Sequence, residues 1–375
     1  VSQKIDISII SSGAQLADAR LHRLTRALLR AGLSVEIFAP GLVKDAPTTE
    51  DSQRLFIRKP WFASGWRRSN LLARYHRSRL FATRSRGRVI YAISPEAVAP
   101  AYLQAKLLRR KFAVDFFEDY LRLLNDRGWA VKYFGILGWI AKSDTKSALW
   151  FAKRADLTTV ADVQVPPFDA RNRLVVRNLP DASMLTRSGE RSATPRAIYI
   201  GDLRKSRGLQ AMLRVAELAT DWEFDFVGGI APSDQGDVDQ WLRINLSAQS
   251  RVRFHGKLAP RDSWKVAAGA WVGLSLLEST PAFVEAVPSK LYEYMSVGLA
   301  TISSPLPRCV ELIAVSKSGA IESSPAGVVD RLKYWRENPS ELDQIRQRAG
   351  DWASKNLDSE REYAIFSAEM VKLTR

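Results

Sequence analysis

Sulfur and imidazole are scarce in this sequence of 375 residues, which holds one cysteine, Cys309, and three histidines, His22, His76 and His255. A single thiol cannot form an internal disulfide and suits a reducing compartment. Three histidines this far apart have no metal-ligand spacing. The longest apolar run, Gly135 to Ala141, is far too short to span a bilayer. There is no repeat at a solenoid period, no low-complexity tract, no phosphate-binding Walker loop, no G-x-S-x-G elbow and no G-x-G-x-x-G after the first strand. The opening Val1-Ser-Gln-Lys-Ile-Asp-Ile-Ser-Ile-Ile reads as a strand and not as a signal peptide.

Acidic residues are missing altogether between Arg54 and Arg88. That interval carries eleven cations, Arg67, Arg68 and Arg74 among them, and accounts for most of the net charge of +16. Trp61, Phe62, Trp66, Tyr75 and Phe81 are interleaved with them. Arginine with interfacial aromatics suits an anionic membrane surface. Nucleic acid attracts the same cations, and a merely solvated basic helix has the same composition. The membrane surface is the expectation, carried by Trp61, Trp66, Arg67, Arg68 and Arg74, with no nucleic-acid partner. A chain of this composition is expected to be cytoplasmic and peripherally associated with the inner face of the cell membrane.

What the chain does have is alternation of strand and helix. Strand-like segments at Ile5–Ile10, Val35–Ala39, Arg88–Ile93, Phe112–Phe117, Leu157–Val160 and Val175–Asn178 are separated by helical patterns. The first helix, from Ala17 to Ala31, closes on Gly32 in the C′ position. A second series begins at Ala197–Ile200 and runs through Phe224–Val227 and Val252–Phe254 to Trp271–Leu277 and Leu299–Ser303. This pattern predicts an α/β protein of two mostly parallel sheets with helices on both faces. The polar stretch before the second series reads as a linker, so the expected domains are 1–181, a linker at 182–196, 197–355, and a terminal helix at 356–375.

The most informative segment is Glu285-Ala-Val-Pro-Ser-Lys-Leu-Tyr-Glu-Tyr-Met-Ser-Val-Gly298. Leu291, Tyr294, Met295 and Leu299 fall at helical spacing, and Ser289 is a good N-cap residue. Glu285 therefore belongs to a loop and Glu293 to the early turns of a helix. The free N–H groups and positive dipole at that helix start, with Lys290 beside them, suit a diphosphate. Glu293 can accept two hydrogen bonds from a ribose diol, and Glu285 can reach a sugar further out. Two glutamates around a helix start are common. Here they follow one strand pattern and precede another, where ligands bind in open α/β sheets.

Two consecutive β/α domains with this pair late in the second resemble the retaining GT-B glycosyltransferases of the glycogen-synthase-like group, family 4-like in the E-x7-E motif. Asp18-Ala-Arg20 with Ala31-Gly32, Val176-Arg-Asn178-Leu-Pro180-Asp181, Tyr199-Ile-Gly201 through Arg207-Gly208-Leu, Pro288 through Gly298, and the late Asp351-Trp352 carry the resemblance along nearly the whole chain. It implies two doubly wound Rossmann-like domains facing a cleft, with a C-terminal helix crossing back to the first. It implies Glu285, Arg207 and Lys290 as catalytic residues. Glu293, Ser289, Leu291, Gly201 and Lys205 would be donor-binding, and Gly13, Asp18, Glu118 and Asp119 would lie on the acceptor side. Asp202 stands where many members have a second phosphate-binding arginine, leaving that part to Arg204 or Lys205. The loop after Glu285 lacks the glycines frequent in the family, and Ala300 replaces a frequent proline.

The implied partners are a nucleotide-sugar donor and a lipid-linked saccharide acceptor of envelope or exopolysaccharide synthesis, with no metal or other cofactor. Asp237-Val-Asp239 matches the D-x-D with which other glycosyltransferases hold a metal. Here it opens a polar helix, where acidic residues favour the dipole. The apolar segment Arg127 to Lys142 either lines an opening for a lipid-linked acceptor or packs as a core helix. A sugar-nucleotide epimerase of the same fold, or a basic binding protein without activity, are the alternatives.

Overall fold

The computed structural model describes residues 4–12, 16, 18–47, 52–58, 71–125, 135–180, 185–258 and 260–375. The chain divides into two compact units, Val1–Asn178 with Glu360–Arg375, and Leu179–Ser359.

The first unit runs β1 (Ile7–Ile10), α1 (Ala19–Arg30), β2 (Val35–Phe38), β3 (Leu55–Ile57), α2 (Leu71–Arg84), β4 (Val89–Ile93) and α3 (Pro95–Leu107). It continues through β5 (Lys111–Phe116), α4 (Tyr120–Asn125), α5 (Ile136–Ala152), β6 (Leu157–Val160) and β7 (Arg173–Val175). All strands pair in parallel in the order β3-β2-β1-β4-β5-β6-β7. The chain moves outward from β1 to β3 and then returns to β4, so the strand order reverses between β1 and β4. Side chains alternate between the two faces, as a buried parallel sheet requires. Val89, Tyr91 and Ile93 face the core with Leu21, Leu24 and Leu28 of α1. Ile90 and Ala92 face the opposite core with Phe81, Val98 and Ala148 of α2, α3 and α5.

The second unit runs β8 (Arg196–Ile200), α6 (Leu209–Leu218), β9 (Glu223–Val227), α7 (Gln235–Ile244), α8 (Leu246–Gln249), β10 (Val252–Gly256) and α9 (Pro260–Val266). Then come β11 (Val272–Ser275), α10 (Ser289–Val297), β12 (Ala300–Ser303), α11 (Pro307–Ser316), β13 (Gly319–Ile321), α12 (Pro325–Glu337) and α13 (Pro339–Asn356). The parallel order is β10-β9-β8-β11-β12-β13, with its reversal between β8 and β11. The last helix, α14 (Ser359–Thr374), belongs to the first unit. Its Phe366 and Met370 enter that unit's core beside Tyr91, and Arg88 Nη1 donates to the Thr374 carbonyl at 2.6 Å. Two doubly wound α/β units with a returning terminal helix are the expected architecture.

Three local features differ from the sequence reading. The units divide after Asn178, and residues 185–195 are part of the second unit instead of a free linker. Ser188 Oγ donates to Val297 O at 2.9 Å, Trp271 Nε1 donates to Ser192 O at 2.9 Å, and Arg191 forks onto Asp343. The arginine-rich interval contributes a strand and a helix, β3 and α2, because Phe81 and Ala82 supply an apolar stripe among the cations. The segment 127–142 is only partly described, and in α5 Trp139 is 71% exposed, so this helix does not bury all its large side chains. Among the described residues no helix is long and apolar enough to cross a membrane.

Candidate functional site

The carboxyl ends of β8 and β11 lie side by side at the strand-order reversal of the second sheet, the place where open α/β sheets bind ligands. Two loops leave these strands and each feeds a helix. The first passes Gly201, then a tight 3-10 turn over Lys205–Arg207, and enters α6 through Gly208. The second passes Glu278 and Glu285 and enters α10. Glu278 N donates to Ser206 O at 3.1 Å, tying the loops together. Gly208 has φ +82, and a Cβ there would fall 1.8 Å from Leu276 O. Only glycine permits this approach.

Helix α10 is set by Tyr294. Its buried hydroxyl donates to Leu274 O and accepts from Ile200 N, both at 3.2 Å, so one side chain spans the ends of both strands. Burial pushes this phenol well above its usual range. The neutral hydroxyl therefore keeps its proton for Leu274. One turn before Tyr294 the helix begins. Pro288 is the cap residue and Ser289 the first helical one, so Ser289 is not the N-cap. Proline ahead of the first turn makes the cap conformation extended and leaves it without a side-chain acceptor. Neither α6 nor α10 has a side-chain cap on its N-terminal N–H groups. Both present the positive end of the helix dipole at the reversal point.

The charged residues are placed around these helix starts. Lys290 Nζ donates to Glu293 Oε2 at 2.5 Å and lies 5.8 Å above the Trp264 ring. Glu293 is 8% exposed, and Leu291 is buried beneath the helix. Arg207 hydrogen-bonds the Tyr199 hydroxyl; burial raises that phenol and Arg207 opposes the rise. Tyr199 Oη in turn donates to Asp202 O at 3.1 Å. Arg204 pairs with Asp202 at 3.2 Å, and exposed Lys205 donates its backbone N–H to Asp234 Oδ2 at 3.4 Å. Glu285 is exposed on its loop, its carbonyl held by Arg308 Nη1 at 3.1 Å. The structure thus brings Gly201, Lys205, Arg207, Ser289, Lys290, Leu291 and Glu293 to the two loops and helix starts of one sheet edge. Of the aromatic residues that hold them there, Tyr199 and Tyr294 were named from the sequence only as part of a motif and of a helical face, and Trp264 was not named. The signal for Tyr199 was an aromatic residue near the end of a strand and for Tyr294 one beside a site glutamate, whereas Trp264, within α9, had neither.

Asp237 and Asp239 sit on α7, where Gln210 and Gln235 donate to them at 3.3 and 2.8 Å. No group of three His, Cys, Asp or Glu side chains that could hold a metal occurs among the described residues.

In the first unit, Gly13, Trp61, Trp66, Arg67 and Arg68 lie outside the described residues. Asp18 Oδ1 caps α1, accepting from Arg20 N and Leu21 N at 2.9 and 3.0 Å. Asp119 caps α4 in the same way, accepting from Leu121 N and Arg122 N at 3.1 Å. Glu118 lies two residues past the end of β5 and is half-buried. Arg74, expected on a membrane-facing surface, turns its guanidinium inward onto Glu96, which is buried at the start of α3. A buried carboxylate demands a counter-charge, and Arg74 supplies it.

A family described as "Glycosyl transferase-like" matches residues 204–363. None of the curated proteins matches the sequence at a significant level. Among solved structures, sucrose-phosphate synthase from Thermosynechococcus elongatus superposes with a TM-score of 0.77 at 12% identity, covering 99% of both chains. Anabaena HepE in complex with UDP-glucose gives 0.69 at 14% identity, covering 98% of this chain and 99% of that one. A glycosyltransferase from Rickettsia africae gives 0.66 at 14% identity with the same coverage. The chain therefore has the fold of the GT-B glycosyltransferases, and the glycosyl transferase-like match spans the part of it that carries Arg207, Lys290 and Glu293.

Proposed function

We propose that the chain is a retaining, metal-independent glycosyltransferase that moves a sugar from a nucleotide-sugar donor to a lipid-linked saccharide. The observation that carries this reading is the pairing of two helix N-termini without side-chain caps at the β8/β11 reversal, with Arg207 at one and Lys290 at the other. Departure of a nucleoside diphosphate builds negative charge on its β-phosphate. Fixed cations and oriented N–H groups stabilise that charge as it forms. Glu293, one turn into α10, accepts the ribose hydroxyls once Lys290 turns from it to phosphate. Glu285 reaches the donor sugar from its loop. In a retaining transfer the acceptor hydroxyl attacks from the leaving-group face, and a phosphate oxygen takes its proton. The chain then needs no separate base.

The HepE structures contain UDP, UDP with glucose, and UDP-glucose, which makes uridine nucleotides the first to try. The basic charge of residues 54–88 supports an anionic membrane surface as the place where a lipid-linked acceptor of envelope glycan synthesis is met. Thermal denaturation with UDP-, GDP- and dTDP-sugars tests the donor half. One of them should raise the melting temperature, and no shift with any would remove the reading. Flotation with anionic against neutral vesicles tests the surface, and equal binding to both would contradict the charge argument.

A further inference from the structure

Helices α3 and α5 of the first unit turn alanines to the core and leave leucine and tryptophan outside. With α2 they cover one face of the sheet, and α3 packs against both of the others. Ala97, Ala101 and Ala105 of α3 and Ala148 and Ala152 of α5 lie on the core. On the outer side of α3, Leu107 is 77% and Leu103 60% exposed, and on α5 Ile136, Trp139 and Trp150 are exposed. Ile136, Trp139, Ser143, Lys146 and Trp150 recur at three- and four-residue spacing, so they form a single stripe along α5. The two indole rings stand about 16 Å apart along that stripe.

Charge on this face has one sign. The acids of α2, α3 and α5 are Glu96 and Asp144. Glu96 is buried and paired with Arg74, and Asp144 is half-buried. Arg79, Lys106, Lys142 and Lys146 are exposed. Just past α5, Arg154 stacks on the Trp150 ring at 3.7 Å. A large apolar surface left in water marks a place where something binds. Here it is set among cations with no exposed acid to balance them.

We propose that the outer face of α3 and α5 lies in the headgroup layer of an anionic membrane, with Trp139, Trp150 and Leu103 at the acyl boundary and Lys142 and Lys146 on lipid phosphates. Indole rings favour that depth, and lysine stems cover apolar surface while their ammonium groups reach the headgroups. A second copy seated on this face brings like charges together, whereas the lipid supplies the missing anions. The contact is thus an insertion made by α3 and α5, apart from the charge of residues 54–88. Since α3 follows β4 and α5 precedes β6, both helices run antiparallel to the strands. The strands then lie along the membrane plane, and the carboxyl edge of the first sheet opens sideways at headgroup level, where the saccharide of a lipid-linked acceptor stands. This last consequence rests on the glycosyltransferase reading; the docking face does not.

The test is flotation of the full chain with vesicles of phosphatidylcholine and phosphatidylglycerol in equal parts, with and without bromine on the acyl chains. The chain should float, and brominated chains should quench part of its tryptophan fluorescence. Trp139→Phe with Trp150→Phe should keep the binding and lose much of the quenching. Trp139→Ala with Trp150→Ala should weaken binding by about tenfold or more, and Lys142→Glu with Lys146→Glu by a similar factor. If the alanine pair loses its thermal transition, the glutamate pair decides, because both lysines are exposed. Quenching unchanged in the phenylalanine pair, or full binding in the glutamate pair, overturns the proposal. Binding that is lost only when the arginines of residues 54–88 are neutralised also overturns it and leaves the membrane reading standing; no binding to any vesicle removes both. A dimer in sedimentation that the alanine pair dissociates makes a second copy the occupant and overturns it as well. If no nucleotide sugar binds while vesicles bind through α5, the donor reading falls and the docking face stands.

Discussion

The ring of Tyr294 occupies the space above Gly273, where a Cβ would meet the ring carbons at 2.5 to 2.7 Å. Missing a side chain on β11 lets α10 settle onto the sheet until the Tyr294 hydroxyl reaches both Leu274 O and Ile200 N. The height of α10, and with it the position of Lys290 and Glu293, is set by this contact.

Gly273→Ala should therefore lift α10. Overpacking costs about 1–3 kcal/mol in stability. Nucleotide affinity should fall as well, because the helix start moves. Tyr294→Phe should cost a similar amount by leaving Leu274 O and Ile200 N unpaired in the interior. Urea unfolding with parallel nucleotide titration checks both. Full nucleotide affinity in Gly273→Ala would show that the site does not depend on the height of α10.

Arg20 and Asp115 form a buried ion pair in the first unit. Nε and Nη2 donate to the two carboxylate oxygens at 2.7 Å, and Nη1 donates to Val176 O at 2.9 Å. Thr159 Oγ1 donates to Asp115 Oδ1 at 2.6 Å. Asp115 holds the Arg20 pKa above its ordinary value although burial works against it. Asp115→Ala leaves a cation 3% exposed without its partner. The expected loss is about 3–5 kcal/mol. A loss under about 1 kcal/mol would mean that water or another group replaces the carboxylate.

Much of this was legible in the sequence, and the failures share one cause. Strands such as Leu157–Val160 are legible at their observed bounds, because β-branched Thr158, Thr159 and Val160 favour an extended, pleated chain. Gly32 was legible as the C′ residue and has φ +84. The inward turn of Arg74 was not, because its partner Glu96 lies on another helix. Residues 185–195 are polar like a linker, yet they bond to Val297, Gly269 and Asp343, more than seventy positions away. Ser289 has a capping side chain, but Pro288 before it takes the cap position. Local pattern finds elements; distant partners decide what a polar residue is for.

Lys290, Arg207 and Glu293 divide the nucleotide between them in the proposed site. Lys290→Ala and Arg207→Ala should each weaken nucleotide diphosphate binding by roughly 10- to 100-fold, the worth of one charge-assisted hydrogen bond. Neither should affect nucleoside binding to that degree. Glu293→Gln should weaken a ribonucleotide more than its 2′-deoxy counterpart, since only the ribose offers the diol. Equal losses for both sugars, read by calorimetry, would remove the ribose assignment from Glu293.

Asp144 on α5 gives the stability a pH dependence of definite sign. Burial and the nearby Glu96 push its carboxyl up from 3.8 to about 6, with Arg74 opposing. A carboxyl with a raised folded pKa holds its proton in the folded chain after the unfolded chain has released it. Between pH 4 and 6 the folded state binds more protons, so stability falls as pH rises through that window. Above pH 6 the penalty is complete. A rise of that size corresponds to about 3 kcal/mol, and partial exposure reduces this to about 1–2 kcal/mol. Asp144→Asn has no proton to lose. It should be more stable than the unaltered protein at pH 7.5 by about 1–2 kcal/mol. The advantage should shrink toward zero below pH 4. Urea unfolding of both proteins from pH 4 to 8 measures the difference directly. An advantage that stays constant across the range would place the effect in packing and not in titration of Asp144.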